Sequence, residues 1–239
     1  MLDLTSSTAA ELIDTEVSLA DLHSVDPQPS LERNGLKLVK FELPLNIDWG
    51  TANAAWRVHV RVPSATSVTG HGKPVARVHV DYTAGSARDK LTALLPEEAE
   101  KLMKRPWAIV QVCDKQVWKP LIGPVQKSPL GLIDAATVHP QDLHPYTLFF
   151  PGKGGDTIGV NGGGESYAVL HNPRHRWLYA KDMSADEAYL FLSFDSRGDG
   201  RARFTPHTEG DLCHKAAAAV ATETNPTWGK EPLRSYRVV

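Results

Sequence analysis

The sequence is poor in cysteine and has no long hydrophobic run. Its only cysteines, Cys113 and Cys213, lie 100 residues apart and form no CxxC motif, which excludes a disulfide framework and favours reduced thiols. No stretch approaches the roughly 20 apolar residues of a membrane span. The start, MLDLTSSTAAELIDTEV, lacks the basic and apolar segments of a signal peptide, so we expect a cytoplasmic protein.

The sequence also lacks an excess of charge of either sign. The net charge is −2 and the pI is about 6.5, so no basic field would draw the chain to nucleic acid or to an anionic membrane. We therefore expect neither as a partner. A length of 239 residues with 41% hydrophobic residues instead predicts one large globular domain.

Several common enzyme motifs are absent. The glycine-rich segment 152–165 contains no GxxxxGK[ST], so it is either a flexible connection or a lid and not a phosphate-binding loop. GxSxG and HExxH do not occur, which argues against an α/β-hydrolase and a zinc protease. The acidic loop that begins at Asp195 has Arg197 at its third position and Pro206 at its twelfth, where a calcium loop requires oxygen ligands.

What the sequence does contain is alternation of apolar and polar residues, which predicts strands. It occurs in GLKLVKFEL, AAWRVHVRVP and VARVHVDYT, and later in SYAVLHN and HRWLYAK, which we predict to pair across the turn NPRH. Helical spacing appears in SARDKLTALLPEEAEKLMKRP, where Pro96 should divide two helices. Ser184 and Glu187 form a capping-box pattern that predicts a further helix start, and DLCHKAAAAVATE is also expected to be helical.

Many short strands without regular βαβ alternation predict a mainly β barrel or sandwich with flanking helices. We expect residues 1–35 to form a polar N-terminal arm and residues 36–239 to form a single domain.

The segment VHVDYT places a histidine and a carboxylate side by side. In a strand, His79 and Asp81 project to the same face because they are two residues apart. Two histidines and one carboxylate on one face are the usual ligands of non-haem ferrous iron. His207, in the extended segment FTPHTEG 126 residues after Asp81, is a candidate for the third ligand, with His171 or His175 as alternatives. By spacing alone, the pair could equally be an ordinary polar pair.

Four segments carry a family resemblance: VHVDYT, VWKPLIGPVQKSPLGLIDAATV, NPRHRWLYAKDMSADEAYLFLSFDS and RFTPHTEG. In this order they resemble the CmcJ-like family, which includes a cephamycin methoxylation component, fungal hydroxylases and desaturases, and a fungal endoperoxide-forming oxygenase. The resemblance spans residues 36–239. It implies a double-stranded β-helix (jelly-roll, cupin-like) core and an Fe(II)- and 2-oxoglutarate-dependent dioxygenase that uses O2 on a small-molecule natural product.

The resemblance also implies roles for particular residues. His79, Asp81 and His207 would be the iron ligands. The family's last-strand arginine, which suits the distal carboxylate of 2-oxoglutarate, matches Arg237 or, with a shift of three residues, Arg234. Lys119 stands where the family usually has arginine, which keeps the charge but not the planar fork.

Three aromatic residues are candidates for the substrate pocket, although packing in the sheet would explain them equally well: Trp118, Trp177 and Tyr179. Two other functions remain open at this point. One is a metal-binding cupin-type barrel without oxygenase activity, and the other is an iron and O2 enzyme that does not use 2-oxoglutarate.

Overall fold

The computed structural model describes residues 11–41, 77–111, 120, 123–126, 129–149, 163–209 and 216–222. Strands dominate this part of the chain. They are β1 (Glu11–Val17), β2 (Leu19–Asp21), β3 (Leu36–Lys40), β4 (His79–Val80), β5 (Ala108–Gln111), β6 (Leu130–Ile133), β7 (Leu143–Phe149), β8 (Gly163–Val169), β9 (Trp177–Tyr179), β10 (Glu187–Asp195), β11 (His207–Glu209) and β12 (Ala216–Thr222). The helices are α1 (Leu31–Asn34), α2 (Ala84–Leu94) and α3 (Ala99–Met103), with 3-10 turns at Ala135–Thr137 and Pro140–Asp142.

The described strands form three sheets. The largest has seven strands in the order β2-β9-β6-β11-β4-β8-β7, and a smaller sheet has the order β3-β10-β5. The third sheet pairs β1 with β12. Within the large sheet only β2 and β9 are parallel, and the other neighbouring strands are antiparallel.

The main core joins the seven-stranded sheet to the three-stranded one. Leu132 and Leu178 of the large sheet belong to the same buried cluster as Leu36, Tyr189 and Phe191 of the small sheet. The Tyr189 hydroxyl accepts a hydrogen bond from the backbone N–H of Ala180 at 2.6 Å, so the buried phenol is bound as well as packed. This pair of facing sheets is the arrangement expected for a jelly roll.

Helix α2 begins directly after the segment that carries His79 and Asp81. Thr83 caps it: its side chain accepts from the N–H of Ser86 at 3.3 Å, and the Ser86 hydroxyl accepts from the N–H of Thr83 at 3.0 Å. The Ser86 hydroxyl also donates to the carbonyl of Glu165 at 2.6 Å, which ties the helix to β8. The predicted division into two helices at Pro96 is confirmed, because α2 ends at Leu94 and α3 begins at Ala99.

The predicted pairing of SYAVLHN with HRWLYAK is wrong. The two segments do form β8 and β9 around a turn at residues 173–174. However, β8 pairs with β4 and β7, whereas β9 pairs with β2 and β6. Three strands therefore lie between β8 and β9, so the turn leads to a crossover and not to a hairpin.

The predicted helix start at Ser184 is also wrong. The capping contacts are present, because Glu187 accepts from the N–H and from the hydroxyl of Ser184, both at 2.9 Å. They close a single turn that leads straight into β10, whose residues are almost all buried between neighbouring strands. The same local hydrogen bonds therefore serve a turn when the following residues suit a strand.

Two further predictions need correction. The alanine-rich residues Ala216–Thr222 form a strand and not a helix: they pair along β1, and this pairing overrides the helix propensity of alanine, which is high but only a weak determinant of structure. Residues 19–25 do not form a separate arm: β2 extends the large sheet, and Leu22 and Val25 lie in the main core. The single domain over 36–239 stays a prediction. None of the described helices has the length and apolar character needed to cross a membrane.

Candidate metal centre

Two histidines meet on neighbouring strands of the large sheet. His79 in β4 and His207 in β11 are direct partners in the antiparallel register. Directly opposed residues project to the same face of a sheet, so both imidazoles lie on one side. Their ring centroids are 4.4 Å apart, and the ring planes are inclined by 53°. The fold thus brings together two histidines that are far apart in the chain.

Asp81 completes a cluster of three possible metal ligands. Its Oδ1 lies 3.8 Å from Nε2 of His79 and 3.6 Å from Nε2 of His207. One ligand atom from each residue lies within 4.8 Å of the others. These three residues could therefore hold a metal ion together.

Hydrogen bonds to the backbone fix the orientation of both imidazoles. Nδ1 of His79 lies 2.8 Å from the carbonyl oxygen of Arg77, and Nδ1 of His207 lies 3.0 Å from that of Thr205. A carbonyl oxygen can only accept, so Nδ1 carries the proton in each ring. In the neutral form of each ring, Nε2 is then the nitrogen with the free lone pair, and both Nε2 atoms face Asp81. This is the tautomer that a metal-binding histidine needs.

The carboxylate is held in a similar way. The hydroxyl of Ser193 in β10 donates to Oδ2 of Asp81 at 2.8 Å. Oδ1 is the oxygen directed at the two imidazoles. The small sheet thus orients a ligand carried by the large one.

The protonation state of the site suits metal binding. Burial lowers the pKa of His79 to about 4, and the neighbouring His207 acts in the same direction, while Asp81 opposes it. His79 is therefore uncharged at neutral pH, as a metal ligand must be. Phe191 of β10 closes the site on another side, with its ring centroid 4.8 Å from that of His207.

The donor set fits ferrous iron. Two neutral imidazoles and one carboxylate on a single face are the ligands of non-haem Fe(II) oxygenases, which keep the remaining positions for substrates and O2. Thiolate ligands, which favour Zn or iron–sulfur clusters, do not occur in the described cluster.

The alternative third ligands lie elsewhere. His175 is buried against Asp142, with its Nε2 3.0 Å from a carboxylate oxygen, and this contact ties down the loop before β9. His171 is half-buried in the same loop. In the described part of the chain, neither residue joins the cluster of three ligands.

The structure does not bring Trp177 or Tyr179 to the metal centre. Trp177 is the register partner of Ile133, whereas His207 is opposite Leu132, so Trp177 projects to the other face of the sheet. There it packs in a second buried cluster with Val78 and Val80. Tyr179, two residues on, shares that outer face. The prediction that these two aromatics line the substrate pocket is corrected on this ground.

Four predicted site residues lie outside the described residues: Trp118, Lys119, Arg234 and Arg237. Conversely, sequence reasoning missed Ser193 and Phe191, which contact the ligands from β10. Ser193 had a signal, since it is the one polar residue inside the apolar run YLFLSF. Which ligand it would contact could not be read, because that depends on how the sheets face each other.

Comparisons with known proteins agree with this geometry. A hydroxylase/desaturase from Aspergillus flavus, asaB, is 39% identical over 130 residues, which are 52% of this chain and 53% of that protein. A hydroxylase/desaturase from Hormonema carpetanum, efuI, is 32% identical over 139 residues, 56% of this chain and 44% of its own length. An Fe(II)/2-oxoglutarate-dependent dioxygenase from Aspergillus novofumigatus, nvfI, is 29% identical over 126 residues, 52% of this chain and 41% of that protein. The chain thus spans about half the length of these curated relatives.

Solved structures show a similar fold. The iron and alpha-ketoglutarate-dependent endoperoxidase NvfI superposes with a TM-score of 0.59 at 20% identity, covering 84% of this chain and 76% of that one. A second conformation of it reaches a TM-score of 0.62, covering 88% and 79%. This likeness confirms the predicted jelly-roll core.

The family itself follows from a match over most of the chain. Residues 50–219 match the family described as the oxidoreductase/YMDC permease-like domain. The relatives above are named as hydroxylase/desaturases and as an Fe(II)/2-oxoglutarate-dependent dioxygenase. This confirms the resemblance to a family of fungal hydroxylases, desaturases and oxygenases that the sequence motifs indicated. The chain belongs to the oxidoreductase/YMDC permease-like domain family, among whose relatives are fungal hydroxylase/desaturases and Fe(II)/2-oxoglutarate-dependent dioxygenases.

Proposed function

We propose that this protein is an Fe(II)- and 2-oxoglutarate-dependent oxygenase that hydroxylates, desaturates or cyclises a small-molecule natural product. One observation carries the proposal: His79 and His207 present their Nε2 atoms to the same carboxylate oxygen of Asp81. The names of the relatives, hydroxylase/desaturase and Fe(II)/2-oxoglutarate-dependent dioxygenase, support the same reaction class.

The three residues would have distinct tasks. His79 and His207 would bind the metal through Nε2, and their bonded Nδ1 atoms prevent the rings from turning. Asp81 would supply the charged ligand through Oδ1 while Ser193 holds Oδ2. Iron with 2-oxoglutarate bound supplies the activation of O2 and the oxidation of a C–H bond. The protein provides the neutral imidazole of His79, the imidazole of His207, the fixed carboxylate and the apolar ring of Phe191.

The residues that bind 2-oxoglutarate are proposed from the family resemblance. Arg237, or Arg234 with a shifted register, would pair with the distal carboxylate, and Lys119 would add positive charge. The cytoplasmic location is likewise a prediction from the sequence.

Anaerobic reconstitution tests the proposal. We expect one Fe(II) per chain and, on adding 2-oxoglutarate, a weak visible absorption band from charge transfer to the chelated keto acid. Exposure to O2 should then yield succinate and CO2 in equal amounts, slowly in the absence of substrate.

The alternatives give different results. Iron binding with no band and no succinate would favour an iron and O2 enzyme without 2-oxoglutarate, or a metal-binding barrel without oxygenase activity. Failure to bind iron at all would exclude the proposed function.

A further inference from the structure

Arg77 shares a face of the sheet with two of the metal ligands. Arg77, His79 and Asp81 are spaced two residues apart, so their side chains alternate with Val78 and Val80. The two valines are buried in the cluster on the outer face. Arg77 therefore projects to the side of the sheet that carries the metal centre, and its carbonyl oxygen binds Nδ1 of His79.

The side chain of Arg77 lies over the ring of Tyr146. Its Cζ is 4.0 Å from the ring centroid, which is the geometry of a cation–π contact. Tyr146 is opposite Ser166 in the register, and Ala168, two residues from Ser166, is opposite His79. Tyr146 thus lies on the same face as His79, and the guanidinium is directed from β4 across β8 to β7.

The hydrogen-bonding capacity of this guanidinium is incompletely used. Nε of Arg77 is buried and has no hydrogen-bond partner in the described part of the chain. A guanidinium has five N–H donors in a planar fork, and a buried donor without an acceptor is costly. No ion pair between Arg77 and a carboxylate occurs among the described residues.

We propose that Arg77, held in place by Tyr146, is a carboxylate-binding residue beside the metal centre. A carboxylate is the group that satisfies a planar guanidinium bidentately. Two molecules could bring it: 2-oxoglutarate through its distal end, with Arg77 in place of the C-terminal arginine that the family resemblance suggests, or an acidic primary substrate. The inference rests on the proposed function, since that function supplies both molecules.

The experiment uses the full chain loaded with Ni(II), which fills the metal site without turnover. Calorimetric titration measures the affinity for 2-oxoglutarate and for 2-oxopentanoate, which has the same length but no distal carboxylate. Benzoate and benzamide, a charged and a neutral probe of similar shape, are titrated into the protein that holds Ni(II) and 2-oxoglutarate. The variants are Arg77→Gln, Arg77→Lys and Tyr146→Leu, with Arg174→Gln as the control. Arg174 is an exposed arginine in the turn before β9.

We expect Arg77→Gln to weaken the binding of one of the two carboxylates by about 10- to 100-fold. This is the range for loss of a charge-assisted hydrogen-bonded pair. If 2-oxoglutarate is the partner, the variant binds it no better than 2-oxopentanoate. If the substrate supplies the carboxylate, 2-oxoglutarate binding is unchanged and the preference for benzoate over benzamide is lost. Arg77→Lys should lose less because it keeps the charge without the fork. Tyr146→Leu should lose part of the affinity for the same carboxylate, because Arg77 is then less firmly held. Arg174→Gln should leave that affinity unchanged.

Unchanged affinity for both carboxylates in folded Arg77→Gln and Arg77→Lys would overturn the inference. If benzoate does not bind the wild type, unchanged affinity for 2-oxoglutarate alone would overturn it. Failure of the proposed function is distinguishable, because the wild type itself would then bind no metal, or would bind metal but not 2-oxoglutarate. In either case benzoate and benzamide titrations of the wild type and Arg77→Gln without 2-oxoglutarate decide the carboxylate site on their own, and equal results for the two proteins overturn it. Near-UV circular dichroism of each variant checks that the fold is retained.

Discussion

The imidazoles of His79 and His207 lie next to each other across the junction of β4 and β11, with 4.4 Å between their ring centroids and 53° between their ring planes. This one register pair brings the two histidines together, and Asp81 is close to both because it follows His79 by two residues. A change that removes His207 or displaces β11 should therefore act on metal binding more than on the rest of the fold.

The first prediction concerns the distant ligand. His207→Ala should reduce Fe(II) affinity by more than the roughly 10- to 100-fold that loss of an outer hydrogen-bonding partner causes, because a ligand itself is removed. His171→Ala is the matched control, since this half-buried histidine lies outside the cluster of three ligands. Competition with a fluorescent chelator measures both affinities. If the His171 variant lost iron and the His207 variant kept it, the ligand assignment would be wrong.

The second prediction concerns Ser193. Its hydroxyl donates to Oδ2 of Asp81 at 2.8 Å, so Ser193→Ala should leave the carboxylate free to rotate and weaken Fe(II) binding by about 10-fold or more. Ser24→Ala, a change at an exposed serine in the turn after β2, should have no effect. The same chelator competition applies, with thermal unfolding as a check on the fold. An unchanged iron affinity in folded Ser193→Ala would show that Ser193 does not orient Asp81.

Local signals were reliable where the interaction itself is local. The division of the helices at Pro96 and the shared face of His79 and Asp81 both follow from a few consecutive residues. The pairing of strands, in contrast, does not follow from a few consecutive residues. SYAVLHN and HRWLYAK are separated by a short turn in sequence but by three strands in the sheet, because each finds a better partner far away in the chain.

The metal centre shows the same division. The VHVDYT pattern could identify two ligands, and the third came from the extended segment around His207 and the family resemblance. The contact of Ser193 with Asp81 and the position of Tyr146 beneath Arg77 depend on sheet stacking and on the register of β7, β8 and β4. Neither is encoded in a spacing along the chain.

The third prediction concerns a glycine behind the metal centre. Gly35 has a φ of 78°, and an added Cβ would lie 2.5 Å from Oγ1 of Thr205. The hydroxyl of Thr205 donates to the carbonyl of Gly35 at 2.6 Å, and its own carbonyl orients His207. Gly35→Ala should therefore lower the free energy of unfolding by about 2–4 kcal/mol and weaken iron binding.

Gly200→Ala is the matched control for that prediction. Gly200 also has a positive φ, of 87°, but an added Cβ would meet no atom within 4 Å. Gly200→Ala should lower the free energy of unfolding only by the backbone strain, about 1–2 kcal/mol, and leave iron affinity unchanged. Urea unfolding of both variants gives the comparison, and equal losses of stability would show that the contact with Thr205 is unimportant.

The last prediction concerns pH. His23 bridges two carboxylates, with Nδ1 2.9 Å from Asp21 and Nε2 2.9 Å from Glu187, and Lys40 lies 3.5 Å from the same Glu187 oxygen. Partial burial opposes protonation of His23, but the hydrogen bonds to Glu187 and Asp21 outweigh it, so its pKa is raised above 6.5. Despite partial burial, the hydrogen bonds made by Asp21 and Glu187 hold the pKa of both carboxyls below the usual values of 3.8 and 4.5.

The sign of the effect follows from these directions. A raised histidine pKa contributes stability that is complete below pH 6.5 and is lost as the pH rises through the pKa of the folded state. The lowered carboxyl pKa values contribute stability that is complete above pH 4.5 and is lost in acid. The bridge should thus stabilise the fold most between these two pH values. Urea unfolding of wild type and His23→Gln at pH 5.5 and pH 8.5 tests this, and the difference between the two proteins should be larger at pH 5.5. A difference that is equal at both pH values, or larger at pH 8.5, would mean that His23 is not charged in the bridge.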